Sequence, residues 1–161
     1  MKQQTVCFTG HRMLAAAERA TLERRLEKTV SELAAVGYRY FGAGGALGFD
    51  TLAAETVLRL REKNKEIKLI LVLPCYNQAD NWPVADRAKY AYLKAQADKV
   101  VYTAKSYHDG CMQVRNRRLV DSSSVCIAYL KHLTGGTAYT VRYARENGLR
   151  VINLAEKEKG D

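Results

Sequence analysis

The alternation of strand and helix patterns constrains this chain most. Short β-branched, aromatic and aliphatic runs alternate with longer segments whose leucines, valines and alanines recur at helical spacing. Strands are predicted at 4–9, 38–41, 67–73, 99–102, 124–130 and 150–154, and helices at 15–36, 49–63, 84–97, 111–121 and 138–147. Because parallel strands require helical crossovers, we predict an α/β fold: a doubly wound, mostly parallel sheet of about six strands with helices on both faces.

Length and composition predict one globular domain. A chain of 161 residues can bury its own core, and an apolar fraction of 47% with 27% charged residues is ordinary for a globular protein. We expect the domain to span 1–155 and 156–161 to form a frayed tail. No apolar stretch reaches membrane-spanning length and no signal-peptide pattern opens the chain, so a cytoplasmic protein without a membrane partner is expected.

The four cysteines are scattered without a CxxC pair, which predicts reduced core residues. His108 and Cys111 form a single HxxC, too few ligands for a zinc site, so no metal is expected. The net charge of +9 invites a polyanionic partner such as nucleic acid. Runs of mixed positive and negative charge within the predicted helices, however, are typical of solvent-exposed helix faces, so the net charge is explained by solubility alone.

Four strand-to-helix loops carry the candidate site. In a doubly wound sheet, ligands bind beyond the carboxyl ends of the strands, where the strand order reverses. Glycines in such turns let the backbone approach a ligand, and the helix N-terminus attracts phosphate. The loops are 9–12, 42–50, 106–118 and 133–137; the predicted ligand-binding residues in the first, second and last are Thr9, Gly10, His11, Arg12, Gly44, Gly45, Gly48, Gly135, Gly136 and Thr137.

The glycine spacing excludes two familiar nucleotide motifs. The dinucleotide pattern GxGxxG is not met, because Leu47 stands where its third glycine would fall and the turn follows the second strand. No Walker A sequence is present either. We therefore predict a phosphate-bearing ligand held by a different arrangement of backbone N–H groups.

Charged residues beside these turns supply further candidates. Asp50 begins the second helix and is either a helix-dipole partner or a pocket residue that accepts hydrogen bonds or acts as a base. Periodicity places Glu55 near the polar side of that helix. Arg115 falls among apolar residues of the fourth helix, where an arginine is costly unless an anion pairs with it. Asn116 and Arg12 could extend that anion contact.

The loop sequences resemble the YpsA-like branch of the SLOG superfamily, the Rossmann-like group that includes the DNA-processing protein DprA and the Lonely Guy enzymes. The resemblance rests on FTGHR at 8–12, GGALGFDTLAAE at 44–55, LPC at 73–75, GCM at 110–112 with RNR at 115–117, and GGT at 135–137. It implies a Rossmann-like fold and a pocket for a nucleotide, ADP-ribose or NAD. It also implies that Asp50 and Glu55 are pocket residues and candidate catalytic residues.

The same resemblance leaves three functions open. Lonely Guy enzymes split nucleoside monophosphates with a PGGxGTxxE motif, but here no carboxylate follows Gly135, Gly136 and Thr137 at that spacing. DprA binds single-stranded DNA, yet this sequence has no aromatic–basic alternation of the kind that stacks successive bases. A nucleotide-binding sensor or signalling module is the first expectation, a nucleotide hydrolase the second and a single-stranded DNA binder the third. The oligomeric state, including a homo-oligomer, stays open.

Overall fold

All six strands lie parallel in one sheet. The computed structural model describes residues 1–156. The strands are β1 (Thr5–Gly10), β2 (Tyr40–Ala43), β3 (Lys68–Leu73), β4 (Lys99–Tyr102), β5 (Val125–Tyr129) and β6 (Arg150–Asn153). The helices are α1 (Ala16–Ala35), α2 (Phe49–Lys63), α3 (Val84–Gln96), α4 (Cys111–Asp121) and α5 (Gly136–Glu146), and a 3-10 turn at Lys2–Gln4 precedes β1.

The strand order is β4-β3-β2-β1-β5-β6. The chain winds outward from β1 to β4 and then returns to place β5 beside β1. At the centre, Cys7 of β1 is in register with Gly42 of β2 and Cys126 of β5. The order therefore reverses between β1 and β5, and the predicted doubly wound, Rossmann-like α/β fold is confirmed, with a sheet that is all parallel.

The two faces of the sheet belong to two apolar cores. Val6 and Phe8 of β1 pack with α1 and α2 in the larger core, whereas Cys7 between them packs with α4 and α5 in the smaller one. This division follows from the period of two along a strand. Helix α1 contributes a stripe at helical spacing to the larger core: Leu22, Leu26, Val30 and Leu33.

Two elements differ from the predictions by two residues, and in both a glycine was interpreted as part of a turn. Strand β2 continues through Gly42 and Ala43, which pair with Ile70 and Leu71 of β3. Helix α5 begins at Gly136 instead of two residues later. In both places the glycine occupies regular structure, because neighbouring backbone supplies the hydrogen bonds.

All four cysteines are buried and free, as predicted. None of the helices within residues 1–156 combines the length and apolar character needed to cross a membrane. Of the predicted frayed tail, 157–161 lies outside the described residues.

Candidate functional site

A pocket of about 280 Å³ opens at the carboxyl ends of β1 and β5, where the strand order reverses. Three loops and the first turns of α2, α4 and α5 surround it. Its lining residues are Phe8, Thr9, Gly10, His11, Arg12, Ala46, Asp50, Met112, Arg115, Asn116, His132, Thr134, Gly135, Gly136 and Thr137. Every predicted ligand-binding residue except Gly44, Gly45 and Gly48 is therefore brought to one place.

The N-terminus of α5 forms an open wall of this pocket. Gly135 caps the helix with φ of 100°, no side chain caps it, and its first turn contains no acidic residue. The first N–H groups of a helix have no partner within the helix. A Cβ added at Gly135 or Gly136 would meet no atom within 4 Å, so the approach to these groups is clear. This wall can receive an anion.

Arg115 of α4 also lines this pocket and is only 4% exposed. Its Nη1 donates a hydrogen bond to the carbonyl oxygen of Gly44, and its Nε donates to Asn116 Oδ1 at 2.7 Å. Burial lowers the pKa of Arg115, and the negative charge of Asp50 opposes that shift. The guanidinium group has five N–H donors, and the bonds to Gly44 and Asn116 use two of them, so other donors remain for a ligand.

Asp50 lies in the first turn of α2 and is 7% exposed. Its Oδ2 accepts the backbone N–H of Ala46 at 3.2 Å, four residues earlier. The carboxylate therefore braces the preceding turn, and the N-cap position belongs to Gly48. Burial raises the pKa of Asp50, while Arg115, the Ala46 N–H and Arg12 oppose the shift. A carboxyl group of this kind lining a pocket is a candidate acid or base.

The glycines of the turn after β2 do not line the pocket, contrary to the expectation for Gly44, Gly45 and Gly48, whereas Ala46 of the same turn does. A Cβ at Gly44 would lie 2.5 Å from Arg115 Nη1, and one at Gly45 would lie 2.5 Å from Leu73 Cδ2. At Gly48, where φ is 78°, a Cβ would collide with the Arg12 carbonyl oxygen. Gly44 and Gly48 make room for Arg115 and Arg12, Gly45 makes room for Leu73, and none of the three lines the pocket.

Glu55 is also absent from the pocket lining. It lies one and a half turns beyond Asp50 in α2 and points toward α3, where its Oε2 is 3.5 Å from Lys89 Nζ. Its Oε1 is buried without a hydrogen-bond partner within the described chain. The role implied for Glu55 by family resemblance is therefore not supported by its position, because the helix turns it away from the strand ends.

His11 connects the loops around the pocket. Its Nε2 accepts the backbone N–H of Lys131 at 2.9 Å, and its carbonyl oxygen accepts the N–H of Phe49 at 3.1 Å. Its ring lies 4.8 Å from that of His132, which also lines the pocket. Burial, then His132 and Lys131, lower the pKa of His11. His11 thus acts as a hydrogen-bond acceptor between loops.

Sequence reasoning did not identify His132, Thr134 or Met112 as pocket residues. His132 and Thr134 stand just before the second glycine turn, so their position in the loop was an available signal. Met112 lies in the first turn of α4, with its Sδ 3.7 Å from Arg115 Nη2. No group of three or more His, Cys, Asp or Glu side chains within residues 1–156 is arranged to hold a metal ion.

Two solved structures share this fold. DNA processing protein A (DprA) from Streptococcus pneumoniae gives a TM-score of 0.68 at 21% identity, covering 93% of this chain and 50% of that one. DNA processing protein A from Helicobacter pylori, described with a single-stranded DNA binding mode, gives 0.66 at 19% identity, covering 93% and 64%. This chain spans about half of the first protein and under two thirds of the second, and the likeness is one of fold.

Sequence comparison gives the family. A UPF0398 protein from Halalkalibacterium halodurans is 28% identical over 128 residues, which are 78% of this chain and 68% of the relative. A UPF0398 protein from Bacillus velezensis is 26% identical over the same length. The model of the YspA SLOG family matches residues 8–151, from the end of β1 into β6. The chain, with its pocket between β1 and β5, belongs to the YspA SLOG family.

Proposed function

We propose that the chain binds a nucleotide or nucleotide derivative, with a phosphate group at the N-terminus of α5. The observation that supports this proposal is the convergence of an uncapped helix N-terminus with Arg12 and Arg115 in one pocket. The helix supplies backbone donors and partial positive charge, and the arginines supply full charge. AMP, ADP-ribose and NAD all carry the required phosphate.

The size of the pocket supports a ligand that is only partly enclosed. A volume of about 280 Å³ lies just below the usual range for small-molecule sites. A phosphate and its ribose fit within the walls formed by α4 and α5, and the base extends to the mouth. His11 and His132 line the same pocket with paired aromatic rings, which are suited to contact a base.

Binding without turnover, as in a sensor or signalling module, is favoured by the placement of the carboxylates. The first turn of α5 contains no acidic residue. Asp50 is the one carboxylate among the lining residues, and one of its oxygens already accepts the Ala46 N–H. Glu55 is turned toward Lys89. The pocket thus has several groups that can bind an anion, but one carboxylate that could act as a general acid or base.

Calorimetric titration with AMP, ADP-ribose, NAD and inorganic phosphate tests the proposal. We expect at least one nucleotide to bind more tightly than phosphate alone, and Arg12→Ala to weaken it about 10- to 100-fold, the usual cost of a lost charged hydrogen bond. Arg118→Ala is the matched control, because Arg118 is also exposed but does not line the pocket. Equal losses in both variants, or no nucleotide binding by the wild type, would contradict the proposal.

A hydrolase of the phosphoribohydrolase type is the second candidate, favoured by the buried carboxyl of Asp50 and its raised pKa. Chromatography of AMP, ADP-ribose and NAD after incubation with the protein tests it. Release of free base or ribose phosphate that is lost in Asp50→Asn, while binding persists, would establish this activity. Intact substrate after long incubation with the wild type would exclude it.

A further inference from the structure

A column of aromatic rings leads from α3 to the sheet edge at β4. Trp82 meets Tyr90 edge-to-face with ring centroids 5.2 Å apart. Lys94 Nζ lies 5.3 Å from the centre of the Tyr90 ring and 5.4 Å from that of Tyr102. Tyr76 then contacts Tyr102 in a tilted arrangement, with ring centroids 4.2 Å apart. Tyr76 is the outermost ring of the column.

Tyr76 is 60% exposed although it belongs to this packed column. Tyr107, in the neighbouring loop, is also 60% exposed. The Tyr76 N–H donates to the Lys105 carbonyl oxygen, and the Tyr107 N–H donates to Asn77 Oδ1, both at 3.1 Å. The two loops are therefore bonded to each other, and the Tyr76 ring is held by its contact with Tyr102, so that a base binds to it with a small loss of side-chain entropy.

We propose that Tyr76 and Tyr107 form a stacking platform for the bases of single-stranded nucleic acid. Aromatic faces accept any base, because every base has a π-face. Lys94 lies beside the column and Lys105 stands two residues before Tyr107 in the chain, while Asp80 and Asp109 are acidic residues of the Tyr76 and Tyr107 loops. The net charge of +9 attracts a polyanion to the molecule as a whole.

The platform is separate from the phosphate pocket. It follows β3 and β4 on one half of the sheet, whereas the pocket lies between β1 and β5, and neither tyrosine lines the pocket. The inference also goes beyond the sequence pattern, which shows no aromatic–basic alternation. The rings come together only because β3 and β4 are paired, with Leu73 in register with Tyr102.

Fluorescence anisotropy with 5′-fluorescein-labelled oligo(dT) of 20 nucleotides tests this platform in the full chain at 50 mM salt. We expect Tyr76→Ala to weaken binding about 5- to 100-fold, as removal of one stacked base contact does, and Tyr76→Phe to keep wild-type affinity. Tyr92→Ala is the matched control, because Tyr92 is 59% exposed on α3 and does not belong to the column. Circular dichroism melting verifies that each variant is folded.

Loss of binding in Tyr76→Ala together with retention in Tyr76→Phe and Tyr92→Ala would establish the platform. Absence of binding by the wild type at 50 mM salt would overturn it, as would equal affinities of Tyr76→Ala and Tyr92→Ala. Tight binding that is unchanged in Tyr76→Ala and Tyr107→Ala would place the nucleic acid on another surface and would also overturn the inference. If a proline-rich peptide binds in a Tyr76-dependent manner and oligo(dT) does not, the platform recognises protein and the nucleic-acid assignment is wrong.

Discussion

The two glycine-rich turns of this chain have similar sequences and opposite environments. The turn at 44–48 is packed against Arg115, Leu73 and Arg12, so that almost no atom could be added there. The turn at Gly135 and Gly136 faces open space at the start of α5. Glycine is needed in the first because the surroundings are crowded, whereas in the second it adopts a φ of 100° at Gly135 and leaves the helix N-terminus open to the phosphate that we propose. A glycine-rich turn therefore indicates close approach, and the approaching group can be the protein itself.

The largest loss of stability is expected when Arg115, which packs against the turn at 44–48, is replaced. Arg115→Met leaves the Gly44 carbonyl and the Asp50 carboxylate without their cation, and breaking a buried charge arrangement costs about 3 to 5 kcal/mol of unfolding free energy. Chemical denaturation measures it. Adding Asp50→Asn should restore part of the loss, and a strictly additive double variant would show that the two charges are not coupled.

The pH dependence of Arg115→Met provides an independent test. Burial raises the pKa of Asp50 in the folded protein. A raised folded pKa means that stability is present at low pH and is lost as pH rises through the folded pKa. Without Arg115 the pKa rises further, so the variant should be closer to wild type in acid than at neutral pH. A deficit that is independent of pH would show that lost packing, not charge, destabilises the variant.

Substituting one glycine in each turn is the next test. Gly48→Ala places a Cβ against the Arg12 carbonyl oxygen at φ of 78°, and we expect a loss of about 3 kcal/mol from strain and overpacking. Gly136→Ala meets no atom within 4 Å and should leave the melting temperature unchanged or slightly raised. The same alanine should weaken nucleotide binding, since it narrows the approach to α5. Equal melting temperatures of the two variants would contradict the distinction between a crowded first turn and an open second turn.

The smallest effect concerns His11, which bonds to the loop before the open turn. Burial and nearby positive charge hold its pKa below 6.5. A lowered folded pKa means that stability is full above pH 6.5 and declines as pH falls through the folded value, because protonation removes the Nε2 acceptor of the Lys131 N–H. His11→Asn should flatten the melting profile between pH 4 and 6.5. His108→Asn, in an exposed loop, should follow the wild-type profile; if both variants flatten it equally, His11 is not the titrating group.

Local sequence patterns predict the elements of this fold well, since four or more residues at helical or strand spacing reveal each one. The bounds of α2, α4 and β4 agree with prediction to the residue. The order of strands, by contrast, depends on which strand β5 pairs with, and no local pattern contains that information. The start of α5 was misplaced because Gly136 has poor helix propensity and was interpreted as part of the preceding turn, whereas the helix begins at this residue.

The candidate site was predictable where it depends on loops at the strand ends. His11, Arg12, Asp50 and Asn116 reach one pocket because parallel strands end at the same edge. The structural role of Gly44 could not be predicted. The space that a side chain at this position would fill is occupied by Arg115, which is 71 residues away in the chain. For Glu55 the two kinds of sequence evidence disagree. Family resemblance implied a pocket role, whereas helix periodicity placed this residue near the polar side of the helix, and it does not line the pocket.

The two hydrogen bonds of His11 have a consequence for binding kinetics and thermodynamics. They join the loop after β1 to the start of α2 and to the loop before α5. A ligand therefore meets walls that are already assembled, and little conformational entropy is lost when it binds. Association should then proceed in a single step whose rate rises linearly with ligand concentration, without the saturation that a slow closing motion would impose.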